Sequence, residues 1–415
     1  MKHLHNITAI ATTWLLFAAI DWAAEEHAVS LIDRDARTHR TTIKHTAPGF
    51  DRLVVWLARF GPPDQIPVAI ERPDGRLVDR LLEAGHPVVP VKTNAIKAWR
   101  EAEVISGAKS DAGDADVIAD YLRVRHRGLR VLAPYSDHTR ALRMLSRNRS
   151  GLVDHRVAAI NQLSALLDAF WPGAKAVFAD IASAIALAFL ERYPTPASAA
   201  RLGPKRMAAF CAKHGYSGRR PAEELLARLR HEPDGIIDPV QTEAGRGTVL
   251  AQVAVLRALN ASIKELDRAI AAHLAEHPDG KIFTSLPRSG QINAAQMLAE
   301  WGDSRQAYDS PDAVAALAGA VPVTKASGKP RSVTFRWACN KRFRDAICTF
   351  ADNSRHDSPW AADVYDRARA AGKDHPHAVR ILARAWIRVI WRCWIDHQPY
   401  DPAHHGAAKK LALAA

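Results

Sequence analysis

The chain has 415 residues, 48% of them hydrophobic and 24% charged, with a formal net charge of +13 at pH 7. The apolar content excludes a disordered polyelectrolyte, and the length suffices for two or three domains with buried cores. The positive charge points to an acidic partner, most simply nucleic acid. Four scattered cysteines, none in a CxxC pair, exclude a disulfide framework and a Cys-rich zinc site, and fit a reducing cytoplasm.

Residues 1–13 read as a short leader rather than a cleaved signal, because Thr12 and Thr13 break the apolar run and Asp21 ends it. No other stretch reaches the length of a membrane span, so no membrane role is expected. Leu15 to Asp21, Ala28 to Asp33 and Thr41 to Lys44 read as three strands. Phe50, Leu53, Val54, Leu57 and Phe60 form a helical stripe, stopped by Gly61-Pro62-Pro63. Pro67 to Glu71 is a fourth strand, Leu77, Val78, Leu81 and Leu82 mark a helix, and Val88 to Val91 is a fifth strand. A further helix carries Val117, Ile118, Tyr121 and Leu122. Three strands, then helix, strand, helix, strand, helix is an α/β pattern with the element order of a ribonuclease-H-like fold. In that fold the first strand lies beside the fourth, which would let Asp21 and Glu71 meet.

Asp111 and Asp114 stand three residues apart before that last apolar stretch, so a helix puts both carboxylates on one face. With Asp21 and Glu71, each ending an apolar run, they form a candidate divalent-metal site for phosphodiester chemistry. The bland reading is capping, with Asp111 at the helix N-cap and Asp114 at its third residue. Asp116 and Asp120 are competing ligands.

Near residue 137 the character changes. Leu145, Leu152, Ala159 and Leu166 repeat every seven residues, with Leu142, Leu163 and Phe170 alongside, until Trp171-Pro172-Gly173. A second run has Val249, Leu256, Ile263 and Ile270, with Leu259 and Leu266, and a proline-broken helical insert lies between the two. Two such helices predict an antiparallel coiled-coil arm, a dimer interface, or packing within a bundle.

Further on, Ser327 lies in Lys325-Ala326-Ser327-Gly328-Lys329-Pro330-Arg331. The segment lacks the glycine pattern of a P-loop and the G-x-S-x-G of a nucleophile elbow. It reads as a basic surface loop, or as one where a hydroxyl binds or attacks a phosphate whose charge the cations offset. Arg336, Lys341, Arg342 and Arg344 follow, with Trp337 and Phe343 interleaved. Arg380, Arg384, Arg388 and Arg392 then recur every fourth residue, the pattern of a solvated helix face or, given the cations and aromatics together, of a nucleic-acid-facing one.

Ala19-Ile20-Asp21-Trp22-Ala23, Ala69-Ile70-Glu71, Lys109 to Ala115, Leu286-Pro287 through Leu298-Ala299-Glu300-Trp301-Gly302-Asp303, and Leu317-Ala318-Gly319 through Pro322 to Lys329 occur in this order. Together they resemble the DEDD transposases of the IS-one-ten insertion-sequence family, the bridge-RNA-guided recombinases. One departure is Arg72-Pro73 after Glu71, where a Thr-Gly-like turn is often seen. The resemblance implies three parts: a RuvC-like catalytic domain over 1–128, a helical and coiled-coil region over 129–278, and a helical transposase domain over 279–415. It places the acidic quartet on Asp21, Glu71, Asp111 and Asp114, holding Mg2+ near a scissile phosphate, and the nucleophile on Ser327. The product would be a phosphoserine link to DNA. Lys325, Lys329, Arg331, Arg336, Lys341, Arg342 and Arg344 would grip nucleic acid. The implied partners are donor DNA, target DNA, a non-coding guide RNA and further copies of the chain as a dimer or tetramer, at the nucleoid. Two other readings are a RuvC-like junction nuclease using metal-activated water and a non-catalytic nucleic-acid-binding protein.

Overall fold

The computed structural model describes residues 14–103, 110–326 and 331–406. Its contacts divide into two compact units, Met1–Pro134 with Ser304–Asp309, and Tyr135–Asp303 with Ser310–Ala415.

The first unit is built on a five-stranded sheet. Its elements run β1 (Phe17–Asp21), β2 (Glu26–Ile32), β3 (Thr38–Lys44), α1 (Ala47–Ala58), β4 (Val68–Ile70), α2 (Arg76–Glu83), β5 (Val88–Pro90), α3 (Thr93–Glu103) and α4 (Asp111–Arg125). The strand order is β3-β2-β1-β4-β5. β1, β2 and β3 pair antiparallel, whereas β1 with β4 and β4 with β5 are parallel. β1 and β4 are short apolar runs because both faces of the central sheet are covered. Along β1 the side chains alternate between two cores. Ala18 and Ile20 join Leu53 and Leu57 of α1 and Leu77 and Leu81 of α2. Phe17 and Ala19 join Ile96 of α3 and Ile118, Ala119 and Leu122 of α4. Exposed positions recur along β3, as befits an edge strand.

In the second unit α5 (Asp137–Phe170) is followed by α6 (Pro172–Val177), α7 (Ala184–Arg192), α8 (Pro196–Ala199), α9 (Pro204–Lys213), α10 (Ala222–His231) and α11 (Pro239–Glu276). α5 and α11 lie against each other in opposite directions. Thr139 bonds His277, Arg149 pairs with Asp267, Gln252 donates to Gln162, and the Phe170 ring sits on Gly245. A side chain at Gly245 would collide with that ring. In α11 the heptad positions Val249, Leu256, Ile263 and Ile270 are all buried. In α5 the buried line is Leu142, Ser146, Ala159, Leu163, Leu167 and Phe170, while Leu145, Leu152 and Leu166 are half-buried. The buried line of α5 is thus offset from the run of Leu145, Leu152 and Leu166, and the insert helices cover its C-terminal half.

The rest of the second unit comprises α12 (Gly280–Thr284), α13 (Gln291–Trp301), α14 (Pro311–Leu317), a hairpin of β6 (Val323–Ala326) and β7 (Arg331–Thr334), then α15 (Lys341–Ser354), α16 (Pro359–Ala370) and α17 (His375–Ile395). Aromatic contacts fix these helices: Trp301 of α13 lies 5.9 Å from Phe343 of α15 and 5.8 Å from Trp394 of α17, centroid to centroid. No described helix is long and apolar enough to cross a membrane.

Candidate active site

β1 and β4 run parallel in register, Ile20 opposite Ile70. The next residues, Asp21 and Glu71, therefore leave the same end of adjacent strands. The residues after those are in contact, with the Arg72 guanidinium 4.5 Å from the centre of the Trp22 ring. Thr93 Oγ1 donates to Glu71 at 3.3 Å.

α4 crosses the sheet in the sense opposite to β1. Its C-terminal end delivers His126, whose ring lies 5.2 Å from Phe17 at the start of β1. Ten residues earlier, Asp116 accepts from Ser30 Oγ at 2.7 Å, and Ser30 is the β2 partner of Ala19. The first turn of α4 is thus directed to the end of the sheet where Asp21 and Glu71 emerge. That turn carries Asp111, exposed, and Asp114, only 8% exposed. Ser110, not Asp111, is the N-cap: its hydroxyl accepts from the Gly113 N–H at 3.2 Å. Asp111 is therefore not needed as a cap. Both acids also lie where the helix dipole favours negative charge.

Asp116 and Asp120, the competing carboxylates, are committed elsewhere. Arg40 grips Asp116 through Nε at 2.9 Å and Nη2 at 2.7 Å, tying α4 to β3. Asp120 accepts from Trp99 Nε1 at 3.1 Å and from Arg123 Nη2 at 2.6 Å. The sequence reading missed Arg100 of α3, whose Nη2 lies 2.6 Å from an Asp114 oxygen. Among the described residues no group of three or more His, Cys, Asp or Glu side chains is gathered to hold a metal ion. The donors at this sheet end are nonetheless all carboxylate oxygens, the chemistry Mg2+ requires. Arg100 already supplies the positive charge that Asp114 needs.

A histidine pair lies beside this end of the sheet. Ala23 N–H donates to His27 Nδ1 at 3.2 Å, so His27 Nε2 carries the proton and donates to His45 Nδ1 at 2.8 Å. Burial, and then the neighbouring His45, push the His27 pKa down to about 4.

Of the residues singled out downstream, Ser327 and Lys329 lie outside the described residues. Lys325 lies on β6 and Arg331 on β7, two antiparallel strands in which Ala326 is the partner of Arg331. Arg336 and Arg344 serve the fold. Arg336 Nε donates to the Val321 carbonyl at 3.2 Å, and Arg344 donates to the Arg336 carbonyl. The Phe335 ring lies between two guanidiniums, 4.4 Å from Arg344 and 4.9 Å from Arg380. These contacts tether the base of the hairpin. Lys341 and Arg342 are exposed on the first turn of α15, and Trp337 is 77% exposed, whereas Phe343 is core. The arginine ladder of α17 differs from the nucleic-acid-facing helix its spacing predicts. Arg384 and Arg388 both donate to Asp312 of α14, and Arg392 pairs with Asp396.

The second unit also buries an acid whose role the sequence did not reveal. Glu300 of α13 is 3% exposed. It accepts from Arg147 Nε at 2.8 Å and Nη2 at 3.0 Å, Arg143 Nη2 at 3.2 Å and Asn340 Nδ2 at 2.7 Å. Burial raises its pKa, but those hydrogen bonds and the two arginine charges outweigh it and hold the carboxyl at about 2. Its signal was available: an acid between Leu298-Ala299 and Trp301 within an apolar helix is a buried charge that needs partners.

Two family models match the chain. The DEDD transposase model of IS110 covers residues 18–172, and the model described as "Transposase IS116/IS110/IS902 family" covers 280–366. The chain is 31% identical to the mini-circle putative transposase for IS117 of Streptomyces coelicolor, over 93% of this chain and 95% of that one. It is 29% identical to the uncharacterized 42 kDa protein of insertion element IS900 of Mycobacterium paratuberculosis, over 95% and 99%. A putative transposase, y4uE, of Sinorhizobium fredii is 32% identical over 52% of this chain and 66% of its own. With its acidic sheet end inside the first matched region and its basic hairpin inside the second, the chain belongs to the IS110/IS116/IS902 family of insertion-sequence transposases and is a DNA transposase.

Proposed function

We propose that this transposase is an RNA-guided recombinase that joins DNA through a phosphoserine intermediate. The observation that carries the reading is the parallel register of β1 and β4, with α4 running back to the same sheet end. It supports a RuvC-like, ribonuclease-H-like domain over 1–128, with the helical, coiled-coil region over 129–278 and the transposase domain over 279–415.

In this reading Asp21, Glu71, Asp111 and Asp114 hold Mg2+, with Arg100 moving off Asp114. The bound ion would neutralise charge on the phosphoryl oxygens. Ser327 Oγ attacks the phosphorus of a DNA phosphodiester. A serine O–P bond forms, the P–O3′ bond breaks, and the hydroxyl proton passes through water to the 3′-oxygen, which leaves as a hydroxyl. Attack by another strand's 3′-hydroxyl reverses these changes. The number of phosphoester bonds is conserved, so joining needs no nucleotide cofactor. Lys325, Lys329 and Arg331 flank Ser327 and offset charge on the phosphate. Base pairing in the guide RNA selects donor and target, and the protein grips backbone. Bringing two DNAs together calls for a dimer or tetramer, at the nucleoid of the cytoplasm, with the exposed faces of α5 and α11 as the contact.

The test is to incubate the purified chain with element-end DNA, co-expressed flanking RNA and Mg2+, and to map any protein–DNA adduct by mass spectrometry. The expected adduct is on Ser327 and is absent from Ser327→Ala. Normal joining by that variant would overturn the serine mechanism. Hydrolysed DNA without an adduct would instead indicate a nuclease using metal-activated water. Equal joining without RNA would remove the guide.

A further inference from the structure

The second unit contains a cleft of about 120 Å³ between α5, α13 and α15. Its lining includes Ser146 and Ser150 of α5, the Arg147–Glu300 ion pair, and Arg342 and Asp345 of α15. It has room for about four waters, or for one phosphate group with its oxygens.

Three features of this cleft have no explanation in the fold. The Ser146 hydroxyl, on a residue 5% exposed, has no hydrogen-bond partner among the described residues. A buried hydroxyl normally finds one. Arg342 is exposed in the first turn of α15, where the helix dipole opposes a cation, and it makes no ion pair among the described residues. Glu300 at the cleft is matched by two guanidiniums, Arg143 and Arg147, so that network leaves a net positive charge. An anion with acceptor oxygens answers all three.

We infer that this cleft is a subsite for one phosphodiester of a nucleic-acid strand. Arg342 and the N-terminus of α15 meet the phosphate charge, and the Ser146 hydroxyl donates to a phosphoryl oxygen. Ser150 and Thr349 are further hydroxyl donors. Asp345, one turn along the same face of α15 from Arg342, repels the phosphate and accepts from a sugar hydroxyl or a base amino group, which orients the nucleotide. The inference rests on the family's nucleic-acid chemistry alone and does not depend on Ser327.

The test is fluorescence-anisotropy titration of the full chain at several salt concentrations, with duplex DNA, single-stranded DNA and RNA of one sequence as separate probes. Arg342→Gln is expected to weaken binding about tenfold and to flatten the slope of log K against log salt by about one. Ser146→Ala is expected to weaken binding severalfold while the melting temperature holds or rises, because an unsatisfied buried hydroxyl is removed. Arg392→Gln, on a cation already paired with Asp396, is the charge control and leaves the slope unchanged. A loss on DNA probes only, or on RNA only, assigns the strand that is held. Wild-type affinity and slope for both Arg342→Gln and Ser146→Ala would overturn the inference, leaving a hydrated cleft. So would an equal loss from Arg392→Gln. Because binding is read without strand transfer, failure here is separable from failure of the serine mechanism.

Discussion

The carboxylates of the first unit and the buried glutamate of the second are opposite uses of one functional group. Among the described residues Asp114 pairs with Arg100, and Glu71 accepts one long hydrogen bond from Thr93. Glu300 receives four hydrogen bonds from three side chains and is held at about pKa 2. A carboxylate saturated by donors is structural, because removing it strands two guanidiniums. One held by few donors at a sheet end is available for other chemistry. The cations divide in the same way: Arg384 and Arg388 of α17 share Asp312 and Arg392 pairs with Asp396, whereas Arg342 on α15 has no such partner among the described residues.

The contrast can be broken in four places. Asp114→Asn is expected to lower strand transfer by at least about a thousandfold while the melting temperature moves little. Transfer at near wild-type rate would remove Asp114 from the site. Glu300→Gln should do the reverse, costing about 3 kcal/mol in a denaturant titration because Arg143 and Arg147 lose their counter-charge; a shift under about 1 kcal/mol would make that network dispensable.

The third concerns pH. His27 has a folded pKa near 4, below the ordinary 6.5, so its contribution to stability is full above pH 6.5. It is lost as pH falls towards 4, because the unfolded chain takes up a proton first. The expected loss is on the order of 2 kcal/mol across that window, and His27→Gln should flatten it. Glu300 titrates lower: its contribution is full above its ordinary 4.5 and is lost as pH falls towards 2. Acid melts should therefore show two successive windows that meet near pH 4. The smallest effect is expected for Asp312→Asn, which releases Arg384 and Arg388 on an exposed surface and costs under about 1 kcal/mol by thermal melting.

Much of the first unit was legible because its patterns are local. β1 and β4 show as uninterrupted apolar runs, and Gly61-Pro62-Pro63 ends α1 as its turn chemistry requires. The strand of β3 was read short, since an edge strand of alternating Thr, His and Arg carries little apolar signal. The Asp21, Glu71 and Asp111/Asp114 positions were visible as acids ending apolar runs or opening a helix. Their partners were not, because Arg100 and Thr93 come from α3, which has no distinguishing motif. The α17 ladder shows the limit from the other side. Its four-residue spacing correctly gave one helical face, but Asp312 lies about 70 residues earlier in the chain, and no periodicity reports a distant acid.

The sequence by itself determined the order of the five strands with α1, α2 and α4, the apolar face of α11 and the membership of a transposase family. Each follows from residue spacing or from motifs in a fixed order. Only the tertiary structure decided which charges remain available. It committed Asp116 to Arg40, Glu300 to two arginines and Arg384 and Arg388 to Asp312, and it left Ser146 and Arg342 lining a cleft. The physical reason is that an ion's availability depends on the partners packing brings within about 4 Å, and those partners come from anywhere in the chain.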